Sequence, residues 1–393
     1  MDMASARSFR TFTGRPLNPR RRARAPLPHG ELRLLTAPEI TAPELIRQWD
    51  DLVAQAAEPN PFFEPWLLLP ALEQWGRAQQ VVIKTWFVDG QLCGLLPTLR
   101  SAEYYGHLVT HATGWLHANA FCGVPLVMRG YEDAFWRTLL AHFDRSQRRA
   151  LFVHLPQLAA DGPVAQALER VLGEDGRSHY IAGEQHRALL ASEFSPEAYL
   201  ASAMSQKKRK ELRRQRARLA EEGVVTFERP GDACDLAAWT AEFLALEAAG
   251  WKGEAGSALA SAAQTRDFFT ATLIGAAAAG KLERLALRLD GRAIAMLVNF
   301  ITPPGAYSFK TAFDEDYARF SPGMLLQLEN LSLLERPDID WADSCAAEGH
   351  PMIERLWRER RRMVSRNIAI GGPLRRALFR LLMAYETRSR SRA

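Results

Sequence analysis

What this chain has little of narrows the field first. Its 393 residues include four cysteines, Cys93, Cys122, Cys234 and Cys345. None forms a C-x-x-C pair, which argues against a zinc ribbon, a redox dithiol or a secreted disulfide scaffold; the thiols are expected to be reduced and mostly buried. No apolar run reaches the roughly 20 residues that cross a bilayer, so no membrane span is expected. Residues 1–28 contain a single acid, Asp2, among many arginines. No apolar stretch follows Arg20, Arg21 and Arg22 as a secretory signal requires, so this segment reads as a flexible basic tail. Together these absences point to a cytoplasmic protein.

What is present describes a globular chain. Hydrophobic residues make up 47% and charged residues 24%, too apolar for disorder. The length exceeds what one core usually organises, so two domains are expected, at 29–190 and 191–393. The formal charge of +5 is concentrated in the tail, in residues 207–218 and from Arg355 onward. Those surfaces favour anionic partners, including a peripheral contact with an anionic surface.

Hydrophobic periodicity gives the same order of elements twice. In the first half it predicts a strand at 32–35, helices at 42–57 and 66–75, and strands 81–88 and 91–99 joined by the hairpin signal Asp89-Gly90. An irregular His- and Gly-containing stretch follows. Then come a strand at 124–128, a helix at 131–143, a strand at 151–155, a helix at 164–172 and a closing strand at 178–181. The second half opens with a helix marked by Ser195-Pro196-Glu197, a cap followed by proline, and a basic helix ending at Gly223. A strand at 224–228 and helices at 236–248 and 261–279 lead to strands 282–289 and 292–301 around Asp290-Gly291. The remainder predicts a strand at 306–313, a helix at 322–334, a strand at 339–343, a helix at 352–360, a strand at 363–370 and a basic helix at 374–385.

Three stretches carry a family resemblance: Ser205-Gln206-Lys207-Lys208-Arg209-Lys210-Glu211-Leu212-Arg213-Arg214, Ala249-Gly250-Trp251-Lys252-Gly253, and residues 307–314 running on to Ser321-Pro322-Gly323. They resemble the GNAT acyltransferase family associated with cellulose biosynthesis, the CelD type, over about residues 195–360. The first half is similar more loosely, through Asn60-Pro61-Phe62-Phe63. The resemblance implies an α+β fold with a mixed sheet in two tandem GNAT-like domains, the layout of the Fem-type aminoacyl transferases. It also implies a transferase that uses acetyl-CoA or another acyl-CoA and no metal. The expected acceptor is an amine or hydroxyl of a sugar or cell-envelope precursor. A Fem-like enzyme using aminoacyl-tRNA, or a non-catalytic accessory protein of polysaccharide synthesis, are the alternatives.

In such folds the coenzyme diphosphate rests on the amides that open the central helix, where the helix dipole favours anions. Here that helix opens at Ser321-Pro322-Gly323-Met324, and Arg319 adds positive charge. Pro322 removes one N–H donor, and only one glycine of the usual fingerprint is present. Acyl transfer further needs the acceptor deprotonated, the thioester carbonyl polarised and the departing thiolate protonated. Asp314 is the candidate base or acceptor anchor, Tyr317 the candidate acid, and Lys310 the candidate to bind an anion or the carbonyl. On a regular strand Ser308 and Lys310 share one face, and Tyr307 and Phe309 the other. Trp251, Lys252, Gly253, Tyr307 and Asp343 are expected around the acceptor, with His350 as a further proton carrier. Eight of the twelve residues 207–218 are basic, but no aromatic stacking or reading motif accompanies them. Coenzyme phosphates or an acidic polymer are therefore the expected partners rather than nucleic acid. His107, His111, His117 and Cys122 match no standard metal spacing.

Overall fold

The computed structural model describes residues 30–104, 106–146, 149–231 and 235–390, with side chains as far as 386. The N-terminal tail and Cys234 lie outside them. Both Asp-Gly turns have left-handed backbone at each central residue, with φ of 49° and 81° at Asp89 and Gly90 and 49° and 80° at Asp290 and Gly291. That geometry matches the twist of the flanking strands and folds each pair into a tight hairpin.

Along the first half run β1 (Glu31–Leu35), α1 (Ala37–Ile40), α2 (Pro43–Ala54), α3 (Pro65–Ala71), β2 (Val82–Val88), β3 (Gln91–Ser101), β4 (His111–Gly114), β5 (Leu126–Val127), α4 (Glu132–Ser146), β6 (Phe152–Ala159), α5 (Pro163–Glu174) and β7 (His179–Leu190). The second half contains α6 (Pro196–Ala203), α7 (Gln206–Glu222), β8 (Val225–Glu228), α8 (Leu236–Ala249), α9 (Trp251–Glu254), α10 (Ala263–Ala278), β9 (Leu282–Leu289), β10 (Arg292–Thr302), β11 (Gly305–Phe313), α11 (Pro322–Glu329), β12 (Trp341–Asp343), β13 (Glu359–Ala369) and α12 (Pro373–Arg390).

All strands belong to one sheet in the order β1-β2-β3-β4-β6-β13-β7-β12-β11-β10-β9-β8, with β5 on β3. Read inward from either edge, the directions repeat: three antiparallel pairings, then one parallel pairing, β4 with β6 and β11 with β12. At the seam the halves exchange their last strands. β13 lies between β6 and β7, and β7 between β13 and β12. Each half therefore completes its sheet with backbone hydrogen bonds from the other. The helical layer crosses the seam as well. At Gly275 of α10 an added Cβ would stand 2.9 Å from Cβ of Trp66 in α3, and Lys281 pairs with the buried Glu64. The result is the expected mixed sheet with two GNAT-like halves in tandem.

Three local expectations are corrected. The predicted helix 352–360 is a single 3-10 turn, Ile353–Arg355, followed directly by β13. Trp357 is buried, and the Arg358 amide donates to the Tyr199 hydroxyl at 2.9 Å, which holds this backbone out of a helix. The predicted strand 178–181 is the twelve-residue β7; its polar alternation conceals Arg187, which points into the interior. The strand expected at 124–128 shrinks to two residues. The fourth strand of that half is β4, inside the stretch read as irregular.

Candidate active site

The parallel ladder between β11 and β12 is short: Gly305 faces Trp341, Ala306 faces Ala342, and Tyr307 faces Asp343. Beyond Tyr307 β11 continues to Phe313 while β12 ends, so the two chains part. The gap is a cavity of about 940 Å³. Ser308, Phe309, Lys310 and Thr311 form one wall, Ser344 to Ala347 another, and Ser321 to Met324 a third; His350 and Met352 come from the following loop, and Phe121 from the first half.

Strict alternation fails on β11. The register against β10 shifts where Val298 and Asn299 face Lys310 and Ser308, leaving Phe309 as an extra residue. This bulge brings Ser308, Phe309 and Lys310 together to the cavity. Phe309 also packs on Phe300, with ring centroids 4.7 Å apart.

The helix start has the form that the sequence suggested, with one change. Ser321 has left-handed backbone at φ 56° and its side chain makes no capping hydrogen bond. Pro322 occupies the first turn, and the first helical bond runs from the Leu325 amide to the Ser321 carbonyl at 3.0 Å. Among the described residues no protein group accepts from the amides of Gly323 and Met324, which lie at the cavity wall. A Cβ on Gly323 would come within 3.2 Å of Met352 Sδ and 3.3 Å of Phe313 Cδ1, so glycine is what lets this turn approach the opposite wall.

Charge in the cavity has one sign. Lys208, Lys252, Lys310, Arg355 and His350 line it, and among the described residues no carboxylate does. Lys252 is held by Glu247 at 2.8 Å and by the Thr311 carbonyl at 3.3 Å. Lys310 has no carboxylate within ion-pair distance among the described residues. Its ammonium stands 5.4 Å and 5.5 Å from the ring centres of Phe309 and Phe121. Burial pulls it down to about 8, and Lys252 adds to the shift. Burial also lowers His350, with Lys252 acting the same way and Glu354 opposing, so its imidazole is neutral at pH 7, and its Nδ1 faces the Ile353 amide at 3.5 Å.

Lys310, Ser321, Gly323, Met324, Trp251 and Lys252 thus meet at one cavity, and Trp251 is 56% exposed at its rim. The other candidates stand outside it. Asp314 caps the 3-10 turn Glu315–Phe320 through the Asp316 amide and pairs with Arg292. Tyr317 packs beside Phe320. Arg319 is engaged by Glu222 at 3.0 Å. Gly253 is a backbone requirement, since a Cβ there would lie 1.8 Å from the Ala248 carbonyl oxygen.

Tyr307 and Asp343 belong to the seam rather than to the cavity. The Tyr307 hydroxyl donates to the Pro59 carbonyl at 2.9 Å, and burial raises its pKa well above the usual range. Asp343 is fully buried and takes Arg361 at 3.0 Å, Arg187 at 3.3 Å and the Cys345 amide at 2.8 Å. Arg187 also donates to the Phe121 carbonyl at 2.7 Å. This network ties the first half's contribution to the second half's cavity wall. Lys208, Arg355, Phe121 and Met352 were not singled out from sequence. Lys208 had a signal as a member of the basic helix, and Arg355 as the start of the basic C-terminal run; Phe121 and Met352 had none.

Residues 206–347 match the family described as the Acetyltransferase (GNAT) domain. No curated protein matches the chain. Among solved structures the chain is similar to FemX, at 11% identity and a TM-score of 0.57, covering 89% of this chain and 99% of that one. A conserved protein of unknown function from Bacteroides thetaiotaomicron aligns at 12% identity, with a TM-score of 0.54 and coverage of 83% and 97%. The C-terminal domain of a putative lysylphosphatidylglycerol synthetase from Agrobacterium fabrum aligns at 13%, with a TM-score of 0.50 and coverage of 85% and 94%. These likenesses establish the fold. The family match places a GNAT acetyltransferase domain in the second half, which makes that half an acyltransferase of GNAT type.

Proposed function

We propose that this protein transfers an acyl group from an acyl-CoA, with acetyl-CoA as the simplest donor, to an amine or hydroxyl acceptor. One observation carries the reading: among the described residues the amides of Gly323 and Met324 have no partner and open onto a cavity lined by four cationic side chains and no carboxylate. A helix start of this kind favours a diphosphate. Lys208 and Arg355 supply the mobile positive charge that phosphates attract.

When bound, the coenzyme supplies an acyl group activated as a thioester. Within the cavity Lys310 presents a positive charge where the carbonyl develops negative charge, in surroundings that strengthen it because water is displaced by Phe121 and Phe309. His350 takes the proton from the acceptor and gives it to the departing sulfur as the thioester C–S bond breaks. Trp251 and Lys252 border the acceptor's approach. A sugar or cell-envelope precursor is the acceptor class suggested by the cellulose-associated motifs, and rests on those alone. Aminoacyl-tRNA as donor is the second reading, favoured by the run of basic side chains on α7.

Thermal unfolding with acetyl-CoA, free CoA and tRNA in turn separates the readings. A ligand that prefers the folded state adds about 2.7 kcal/mol at a hundred times its Kd, so acetyl-CoA is expected to raise the midpoint by several degrees. No response to any coenzyme thioester at saturation overturns the proposal. A salt-sensitive response to tRNA alone moves the assignment to the second reading.

A further inference from the structure

The C-terminal helix presents two unlike faces. Inward, Phe379 and Met383 are buried beside Phe152 and Tyr104, and Arg375 donates to the carbonyls of Ala150 at 3.0 Å and Asp144 at 2.9 Å. Outward, Leu374, Leu378, Leu381 and Tyr385 are 88%, 56%, 69% and 62% exposed. Their spacing of four, three and four residues puts them on one stripe of the helix. Leu108, 92% exposed, comes from the neighbouring loop and lines one hollow with Leu378 and Arg149. So firmly docked a helix does not need an open row of leucines for folding; an exposed apolar patch of this kind marks a contact surface.

Charge indicates what it contacts. Arg149 lines the same hollow as Leu108 and Leu378, and Arg145 on α4 and Arg380 on α12 are exposed as well. The α12 sequence holds five arginines, Arg375, Arg376, Arg380, Arg388 and Arg390, against one acid, Glu386, which is buried. Two copies of this surface would bring like charges together. Leu108 and Leu374 protrude almost completely, so they fit a soft medium that side chains can enter better than a preformed pocket. No helix among the described residues is long and apolar enough to cross a membrane, which leaves contact from one side.

We propose that α12 and residues 107–110 dock this protein on an anionic lipid bilayer. Leu108, Leu374, Leu378, Leu381 and Tyr385 enter the boundary between headgroups and acyl chains, and Arg145, Arg149 and Arg380 meet the lipid phosphates. A helix lying in the interface gains from both buried apolar area and electrostatic attraction. This assignment is independent of the acyl donor.

The test is co-sedimentation of the full chain with vesicles of phosphatidylcholine alone and of phosphatidylcholine mixed with phosphatidylglycerol. The protein is expected to pellet with the mixed vesicles and to remain in solution with the neutral ones. The double variant Leu378→Asp with Leu381→Asp is expected to weaken binding by about a hundredfold, roughly tenfold for each leucine withdrawn from the interface. Arg149→Glu with Arg380→Glu should weaken it by about tenfold or more. These side chains are exposed, and an unchanged circular dichroism spectrum verifies the fold. Failure of the wild type to bind mixed vesicles overturns the proposal. So does binding undiminished in the leucine variant, which would assign it to the basic tail. Light scattering that shows a dimer turned into a monomer by that variant, without vesicle binding, overturns it in favour of self-association.

Discussion

The two halves share a topology and differ in the turn that should hold an anion. In each, a helix lies in the connection between the two strands that pair in parallel: α4 between β4 and β6 in the first half, after the short β5, and α11 between β11 and β12 in the second. α4 opens with Glu132 and Asp133. Glu132 accepts from the Gly130 amide at 3.0 Å, and Asp133 pairs with Arg170 at 2.7 Å. That start is filled by the protein's own carboxylates and repels a phosphate. α11 opens with proline and glycine, no acid, and amides left for a ligand. The cleft beside β4 in the first half is smaller, about 430 Å³, and among the described residues neither lysine nor arginine lines it. Its His117 is buried, stacked on Trp75, and pushed down to about 3, so it stays neutral. One fold thus occurs twice, and the two copies differ in the charge at this helix start, acidic in α4 and without an acid in α11; the proposed cosubstrate site follows that difference.

The sharpest way to break this comparison is to ask whether the halves are separate bodies at all. Asp343→Ala leaves Arg187 and Arg361 buried without their shared carboxylate, and removing one partner of a buried pair costs about 3–5 kcal/mol. Because the seam strands are exchanged, the loss should lower a single cooperative unfolding transition followed by circular dichroism or calorimetry. Two separate transitions would show that each half folds alone. Next in size is the transfer of the first half's character to the second. Ser321→Asp places a carboxylate at the start of α11, where its left-handed backbone is one that aspartate tolerates. Stability should be unchanged or slightly higher, since an acid suits a helix start. Stabilisation by acetyl-CoA should nevertheless fall by roughly 2 kcal/mol through repulsion of the diphosphate. If the thermal response to acetyl-CoA is as large in the variant as in the wild type, the coenzyme does not sit at this turn.

Much of this contrast was legible in the sequence because it is local. Asp-Gly dipeptides between β-rich runs marked both hairpins, and Ser321-Pro322-Gly323 marked the helix start. What the chain does at long range was not legible. Nothing in residues 179–190 or 359–369 tells either strand which neighbour it will pair with, so the exchange at the seam had no local signal. Asp314 looked like a base because it lies near Lys310 in sequence; its partner Arg292 is on the adjacent strand, and neither residue lines the cavity. Phe121 reaches the cavity from the first half with its carbonyl held by Arg187 and its ring packed on Phe62 and Phe309, partners distant in sequence. The helix read at 352–360 had the composition of a helix, yet its buried Trp357 and the hydrogen bond to Tyr199 keep the backbone extended.

The smallest expected effect concerns Lys310 and separates binding from folding by sign. In the folded chain its ammonium titrates at about 8 instead of the ordinary 10.5, chiefly through burial. Between those values the unfolded chain holds a proton that the folded chain has released, so this group's contribution to stability rises with pH across the window and is lost as pH falls through about 8. Its contribution to binding runs the other way. The positive charge that attracts the cosubstrate disappears above pH 8, and affinity for acetyl-CoA should fall by about tenfold or less, the worth of one partly screened charge. Lys310→Met removes both slopes. Subtracting the variant's pH profile from that of the wild type, in unfolding and in coenzyme binding, isolates the lysine from other titrating groups. Difference profiles that slope in the same direction, or a binding difference that is flat across pH 8, exclude Lys310 from contact with the ligand.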